Sequence, residues 1–198
     1  MSVILASQSP RRRELLGQMG FHDFIIRPAK GEEVIDPGLT PAQLVEALSA
    51  QKAAEVAASA EANDLIIAAD TIVAVDGKVL GKPSSKEAAF GMLSMLSGRA
   101  HTVYTGVTVR RGDRVLTAHE ATQVRFRSLI PEEIRAYIAT GEPMDKAGAY
   151  GIQGLGGLLV EGIQGDYSNV VGLPVCRLGL MLGQFGVNVL ARAAQKEH

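Results

Sequence analysis

The chain has one cysteine, no tryptophan, four histidines and only 5% aromatic residues in 198 positions, and its formal net charge is −1. Each shortage removes a class of protein. A lone Cys176 can form no internal disulfide, which suits a reducing compartment. His22, His101, His119 and His198 are scattered along the chain with no second cysteine near them, so no zinc-type ligand set is visible. A metal here would be a hard cation held by carboxylates. A net charge near zero sets up no global field toward nucleic acid or anionic lipid, and few aromatics leave few surfaces on which bases could stack. A polyanion would have to be met by a local cluster of Lys and Arg. The apolar runs are broken by Asp70, by glycines or by Arg177 well short of the ~18–20 residues of a membrane helix. The short apolar run at Val3 precedes Arg11-Arg12-Arg13, the reverse of the order in a secretory leader. The expectation is a soluble, cytoplasmic protein that engages neither nucleic acid nor membrane.

Hydrophobic residues make up 46% of the chain and charged residues 21%, enough apolar surface for a real core. No repeat, low-complexity tract or linker divides it, so residues 1–198 read as a single domain. Val3 to Ala6 reads as a buried strand. Ser9-Pro10 then starts a helix whose apolar face is Leu15, Leu16 and Met19, and which Gly20 closes. Phe24 to Arg27 is a short second strand. Thr40-Pro41-Ala42-Gln43 is a capping box for an Ala-rich helix reaching about Ala60. Leu65 to Ala69 is a continuous apolar run, as in a strand covered on both faces, and it continues through Val73 and Val75 to a hairpin turn at Asp76-Gly77. Further helices span Ser85 to Leu96, Pro131 to Thr140 and Val175 to Leu182, the last carrying Cys176 in the core. Thr102–Val109 and Val115–Phe126 alternate around Gly112-Asp113 as an antiparallel pair. Asp145 to Pro174 is glycine-rich and reads as loops and short strands. The fold class is α/β with a mixed sheet.

Four segments place polar groups where a chain packs its core or turns tightly. Ser7-Gln8-Ser9-Pro10-Arg11-Arg12 joins a buried strand to a helix; its hydroxyls, guanidinium groups and free helix amides suit phosphate oxygens, although a capped helix with solvated arginines would look the same. Glu32-Glu33, after a glycine, either holds Mg²⁺ or is simply solvated. Asp70 follows five apolar residues, where an unpartnered carboxylate is costly; it either faces a ligand crevice at the strand's carboxyl end or caps a turn. Lys82, between Gly81 and Pro83, is a fixed point charge. Asp145 to Gly154 and Gly165 to Pro174 interleave glycines with Asp, Lys, Tyr and Gln, which lets backbone approach a ligand. Neither a phosphate-loop motif nor a dinucleotide fingerprint is present.

Taken in order, Leu5-Ala6-Ser7-Gln8-Ser9-Pro10-Arg11-Arg12, Ala69-Asp70-Thr71, Gly81-Lys82-Pro83, Asp145-Lys146-Ala147-Gly148-Ala149-Tyr150 and Asn169-Val170-Val171-Gly172-Leu173-Pro174 resemble the Maf family of nucleoside triphosphate pyrophosphatases, and within it the branch acting on dTTP and UTP. The resemblance spans nearly the whole chain. It implies an elongated mixed sheet flanked by helices, with two lobes around a deep cleft, similar to inosine triphosphate pyrophosphatases. It also implies a homodimer, a divalent cation (Mg²⁺ or Mn²⁺), and Asp70 as proton acceptor. Glu33 with Asp70 would hold the metal, and Arg12, Lys52 and Lys82 the triphosphate, with hydroxyls from Ser7 and Ser9; Lys52 rests on the family likeness and its helix alone. Base choice falls to Gln153, aided by Arg12 and Thr71, because a carboxamide offers the donor and acceptor that complement N3–H and O4 of uracil and thymine. Guanine presents two adjacent donors, which a carboxylate would match better. A 7-methyl-GTP pyrophosphatase of the sister branch is therefore disfavoured by Gln153. A non-catalytic nucleotide-binding regulator of cell division is disfavoured by the set Asp70, Glu33 and Lys82, and a nucleic-acid-binding module by charge and composition.

Overall fold

Alternating strands and helices build the first part of the chain. The computed structural model describes residues 2–32, 36 and 38–194. β1 (Val3–Leu5) is buried throughout and leads into α1 (Pro10–Gln18), where Ser9 caps the helix and Pro10 takes its first position. β2 (Phe24–Ile26) follows, then α2 (Pro41–Ala57). The expected capping box opens α2: Gln43 N–H donates to Thr40 Oγ1 at 3.3 Å, and Thr40 N–H donates to Gln43 Oε1 at 3.0 Å. β3 (Leu65–Val75) turns through Asp76 and Gly77, with φ of 50° and 72°, into β4 (Lys78–Leu80). After α3 (Lys86–Leu96), β5 (Ala100–Arg111) and β6 (Arg114–Phe126) form the long hairpin, and α4 (Pro131–Ala139) follows it.

Among the described residues seven strands, the last of them β7 (Val160–Gln164), make one mixed sheet flanked by helices, in the order β2-β1-β3-β5-β6-β7, with β4 added to β3. β1 is parallel to both neighbours, pairing Leu5 with Ile26 on one side and with Ile67 on the other. β4 runs antiparallel to β3, and β7 antiparallel to β6. Among the described residues no helix is long and apolar enough to cross a membrane.

The glycine-rich stretch holds more regular structure than its composition announces. Single 3₁₀ turns occupy Glu142–Asp145, Ala147–Ala149 and Leu155–Leu159, and α5 (Tyr167–Val171) is a short helix. Asp166 supports α5 by accepting from Ser168 N–H at 2.7 Å, a local bond too short in sequence to register as periodicity. α6 (Val175–Gln184) is not the last helix, because α7 (Val189–Ala194) follows it, capped by Asn188, which accepts from Ala191 N–H at 3.0 Å. α7 buries none of its residues, so no apolar stripe marks it. Cys176 is exposed, contrary to the core position expected for it. α6 buries Leu178, Met181 and Leu182, and a residue two positions before Leu178 lies about 200° round the helix from it.

The chain packs as two compact units, the first made of Met1–Asp70, Thr105–Glu120 and Gly172–His198, the second of Thr71–Tyr104 and Ala121–Val171. In the first, Ile4, Ile66 and Ala68 on the strands, with Ala6 just past β1, meet Ala53 and Val56 of α2. The helix approaches so closely that a Cβ at Gly106 of β5 would lie 2.1 Å from the Val45 carbonyl oxygen. Only glycine fits there. In the second unit, Val73, Val103, Val124 and Phe126 on strands pack with Leu93, Leu96, Ile134 and Ile138 from α3 and α4.

That second core also takes in a histidine. His101 is 2% exposed, edge-on to Phe126 and Tyr150, with Nε2 at 2.8 Å from the Tyr150 hydroxyl. Its Nδ1 has no hydrogen-bond partner among the described residues. Burial therefore disfavours the imidazolium and pushes His101 down to about 4 from its ordinary 6.5. With the folded value depressed, the unfolded chain binds the proton first as pH falls. Stability is fully present above about pH 6.5 and is lost between there and about pH 4. Urea unfolding at pH 7.5 and pH 4.5 is expected to show the parent losing about 2–3 kcal/mol more than a His101→Gln variant. Parallel losses in the two proteins would show that His101 does not set this slope.

Candidate active site

In the first unit the site grows from two neighbouring strand ends. The pairing of Leu5 with Ile67, continued by Ala6 N–H donating to Ile67 O at 2.8 Å, carries the chain leaving β1 alongside Ala69 and Asp70. Ser7 is 7% exposed, and its Oγ accepts from Ser9 N–H at 3.2 Å and from Arg12 Nη1 at 3.3 Å. Those two bonds use its two lone pairs, so its own hydrogen is directed elsewhere. Ser9 Oγ meets Arg12 N–H at 3.5 Å as the helix cap. Arg12, in the first turn of α1, also donates from Nε to Gly172 O at 2.8 Å, which ties the first motif to the Asn169–Pro174 motif. Hydroxyls, a fixed guanidinium and a helix amino terminus are thus gathered on one short segment.

Asp70 is 8% exposed at the end of its apolar run, and a carboxylate so placed needs a partner. Its partner is Lys52, which reaches from α2 and ion-pairs with Asp70 Oδ1. On sequence grounds Lys52 is the weakest of the candidate cations. The structure joins it to the candidate base. No spacing rule could find this pair, because 18 residues and a loop separate the two.

Thr71, Lys82 and Gln153 belong to the second unit. Thr71 follows Asp70 on β3 and is half-buried. Gly81 O accepts from Gly148 N–H at 3.0 Å, so the Gly81-Lys82-Pro83 and Asp145–Gly154 segments lie together, with Lys82 exposed and Pro83 buried. Gln153 is exposed in the turn Ile152–Gln153. A residue that no sequence motif singles out organises this loop: Glu142 accepts from the Tyr137 hydroxyl at 2.9 Å, Leu155 N–H at 2.9 Å and Gly156 N–H at 3.0 Å. Asn169 is fully buried and donates to Val103 O at 3.0 Å and Thr122 Oγ1 at 2.9 Å, so it binds its motif to the sheet. Glu33 lies outside the described residues. Among those described, no group of three His, Cys, Asp or Glu side chains is placed to hold a metal.

A family model for Maf-like proteins matches residues 2–185. The chain belongs to the Maf family. Its relatives match along nearly their whole length. A dTTP/UTP pyrophosphatase of Moorella thermoacetica is 54% identical over 193 residues, covering 96% of this chain and 98% of that one. The protein of the same name from Pelotomaculum thermopropionicum is 53% identical over 190 residues, 95% and 98% of the two chains. A third, from Bacillus pumilus, is 50% identical over 185 residues, 93% and 97%. A crystal structure of a nucleoside-triphosphatase, dITP/XTP pyrophosphatase, from Mycobacterium abscessus overlaps loosely, with TM-score 0.42 and 15% identity over 65% of this chain and 76% of that one. Family membership rests on the Maf match and the full-length relatives instead.

The Asp70–Lys52 pair in this Maf chain has a measurable signature. Lys52→Met leaves a largely buried carboxylate without its cation and is expected to cost about 2–4 kcal/mol in urea unfolding. Adding Asp70→Asn to it should recover more than half of that loss. Strictly additive effects would show that the two groups do not interact.

Proposed function

We propose that this Maf chain is a nucleoside triphosphate pyrophosphatase that converts dTTP and UTP to the monophosphate and pyrophosphate. The observation that carries this reading is the largely buried Asp70–Lys52 pair beside the Ser7–Arg12 anion donors, in a chain about half identical to relatives bearing that name. Asp70 accepts the proton of the water that attacks the α-phosphorus, and the bond to the bridging oxygen of the pyrophosphate breaks. Lys52 and Arg12 hold phosphate oxygens, with hydroxyl donation from Ser7 and Ser9 and a further charge from Lys82. Gln153 reads the pyrimidine edge, helped by Arg12 and Thr71.

A divalent cation belongs to the same proposal. Mg²⁺ and Mn²⁺ accept one or two carboxylates and let substrate phosphates and water complete the shell. Asp70 with Glu33 is a donor set of that hardness and number. When bound, the cation would neutralise the triphosphate and the departing pyrophosphate. The family likeness also supports a homodimer acting on free nucleotides in the cytoplasm. A 7-methyl-GTP activity is not favoured, since Gln153 lacks the paired acceptors that guanine donors call for.

Incubation with dTTP, Mg²⁺ and no other enzyme is expected to yield dTMP and pyrophosphate by ³¹P NMR. Formation of dTDP with orthophosphate would overturn the reading. Asp70→Asn should lower kcat by roughly 10²–10⁴ with an unchanged circular dichroism spectrum, as loss of a general base does. A rate within a few-fold of the parent would make Asp70 structural.

A further inference from the structure

Glu142 is a carboxylate that the proposed hydrolysis does not use, yet its bonds reach far along the chain. It follows Gly141, beyond the end of α4, and opens the 3₁₀ turn Glu142–Asp145. Its Oε1 accepts from the Tyr137 hydroxyl at 2.9 Å and from Gly156 N–H at 3.0 Å, and its Oε2 accepts from Leu155 N–H at 2.9 Å. Tyr137 Oη in turn accepts from Gly151 N–H at 3.2 Å. The two side chains therefore grip the backbone at Gly151 on one side of Gln153 and at Leu155 and Gly156 on the other. A carboxylate that merely closed its own turn would bond amides next to it, not ones 13 and 14 residues away.

The loop is shaped to admit this grip. A Cβ at Gly154 would lie 2.5 Å from Glu142 Oε2, and one at Gly156 would lie 2.5 Å from Tyr137 Oη. Tyr137 is buried, which raises its pKa well above the ordinary value and keeps its hydroxyl a donor. Burial acts to raise Glu142 as well, but donation from Gly156, Leu155 and Tyr137 and the charge of Lys146 outweigh it, so Glu142 stays below its ordinary value and ionised at neutral pH. Between the two anchor points only the turn Ile152–Gln153 and Gly154 remain.

We infer that Glu142, assisted by Tyr137, is a positioning residue for base selection: it fixes the backbone on both sides of Gln153, so that the carboxamide is presented to the base from one place. The inference rests on the reading of Gln153 as the group that contacts the pyrimidine edge. Pre-organisation of this kind matters because a loop free to move would carry the carboxamide to varying distances and angles from the base, and the contact that favours a pyrimidine edge over guanine would weaken.

The test is kcat/KM for dTTP and for GTP, in parent, Glu142→Gln, Tyr137→Phe and Gln153→Glu, with melting temperature recorded alongside. Glu142→Gln keeps the shape but turns an amide N–H₂ toward one of the backbone N–H donors. It is expected to lower the dTTP-to-GTP ratio about tenfold, mostly through KM for dTTP, with kcat within about threefold. Tyr137→Phe should move the ratio in the same direction by a smaller factor, and it carries the test if Glu142→Gln does not fold. Gln153→Glu should shift the ratio further toward GTP. If Gln153→Glu shifts the ratio while the Glu142 and Tyr137 variants leave it unchanged, or lower both nucleotides equally, the brace is overturned and the Gln153 reading stands. If Gln153→Glu itself leaves the ratio unchanged, Gln153 does not touch the base, and the inference falls with that reading.

Discussion

A carboxylate 8% exposed at the end of an apolar strand is tolerable only where a cation meets it, and much of the first unit is arranged so that Lys52 meets Asp70. The Thr40–Gln43 capping box sets where α2 begins, and three turns of helix then bring Lys52 to its height. Close packing at Gly106 holds α2 against the sheet, because the Val45 carbonyl takes the space that any side chain on β5 would need. Burial of Leu44, Val45 and Leu48 turns the same helix so that Lys52 faces inward with part of its stem covered. Parallel pairing of β1 with β3 then lays Ser7 and the start of α1 beside the same strand end.

The second unit satisfies its inward-facing polar groups, buried or half-buried, by a different chemistry. Glu142 is met by two backbone amides and a tyrosine hydroxyl, with Lys146 contributing charge, and Asn169 by a carbonyl and a threonine hydroxyl. His101 is kept neutral against Tyr150. Such contacts are directional and short, so they define backbone shape more closely than apolar packing does. They fall where the chain is richest in glycine, the residue that lets a backbone come within hydrogen-bond reach of a carboxylate without a side chain intervening.

Much of the architecture is legible in the sequence because the chemistry that specifies it is local. Ser9-Pro10, Thr40 with Gln43, Ser85 and Pro131 mark helix starts through bonds spanning three or four residues, and the helices begin where those marks lie. The unbroken apolar run ending at Asp70 is what a strand buried on both faces requires, and β3 is such a strand. α7 leaves no such mark because it buries nothing, and α5 leaves none because its cap, Asp166, acts over two residues. Cys176 reads as core because it shares an apolar segment with residues on the opposite face of α6, yet it is exposed.

What the sequence determined by itself was therefore the identity of most of the elements, the α/β class and, through its ordered motifs, the Maf family. Those follow from short-range propensities and from residue types that keep their order along the chain. Tertiary structure alone decided which of several cations stands beside Asp70, and that Glu142 and Tyr137 hold the loop of Gln153. Both are contacts across long stretches of chain, and they depend on a strand register and a helix height that no local pattern encodes.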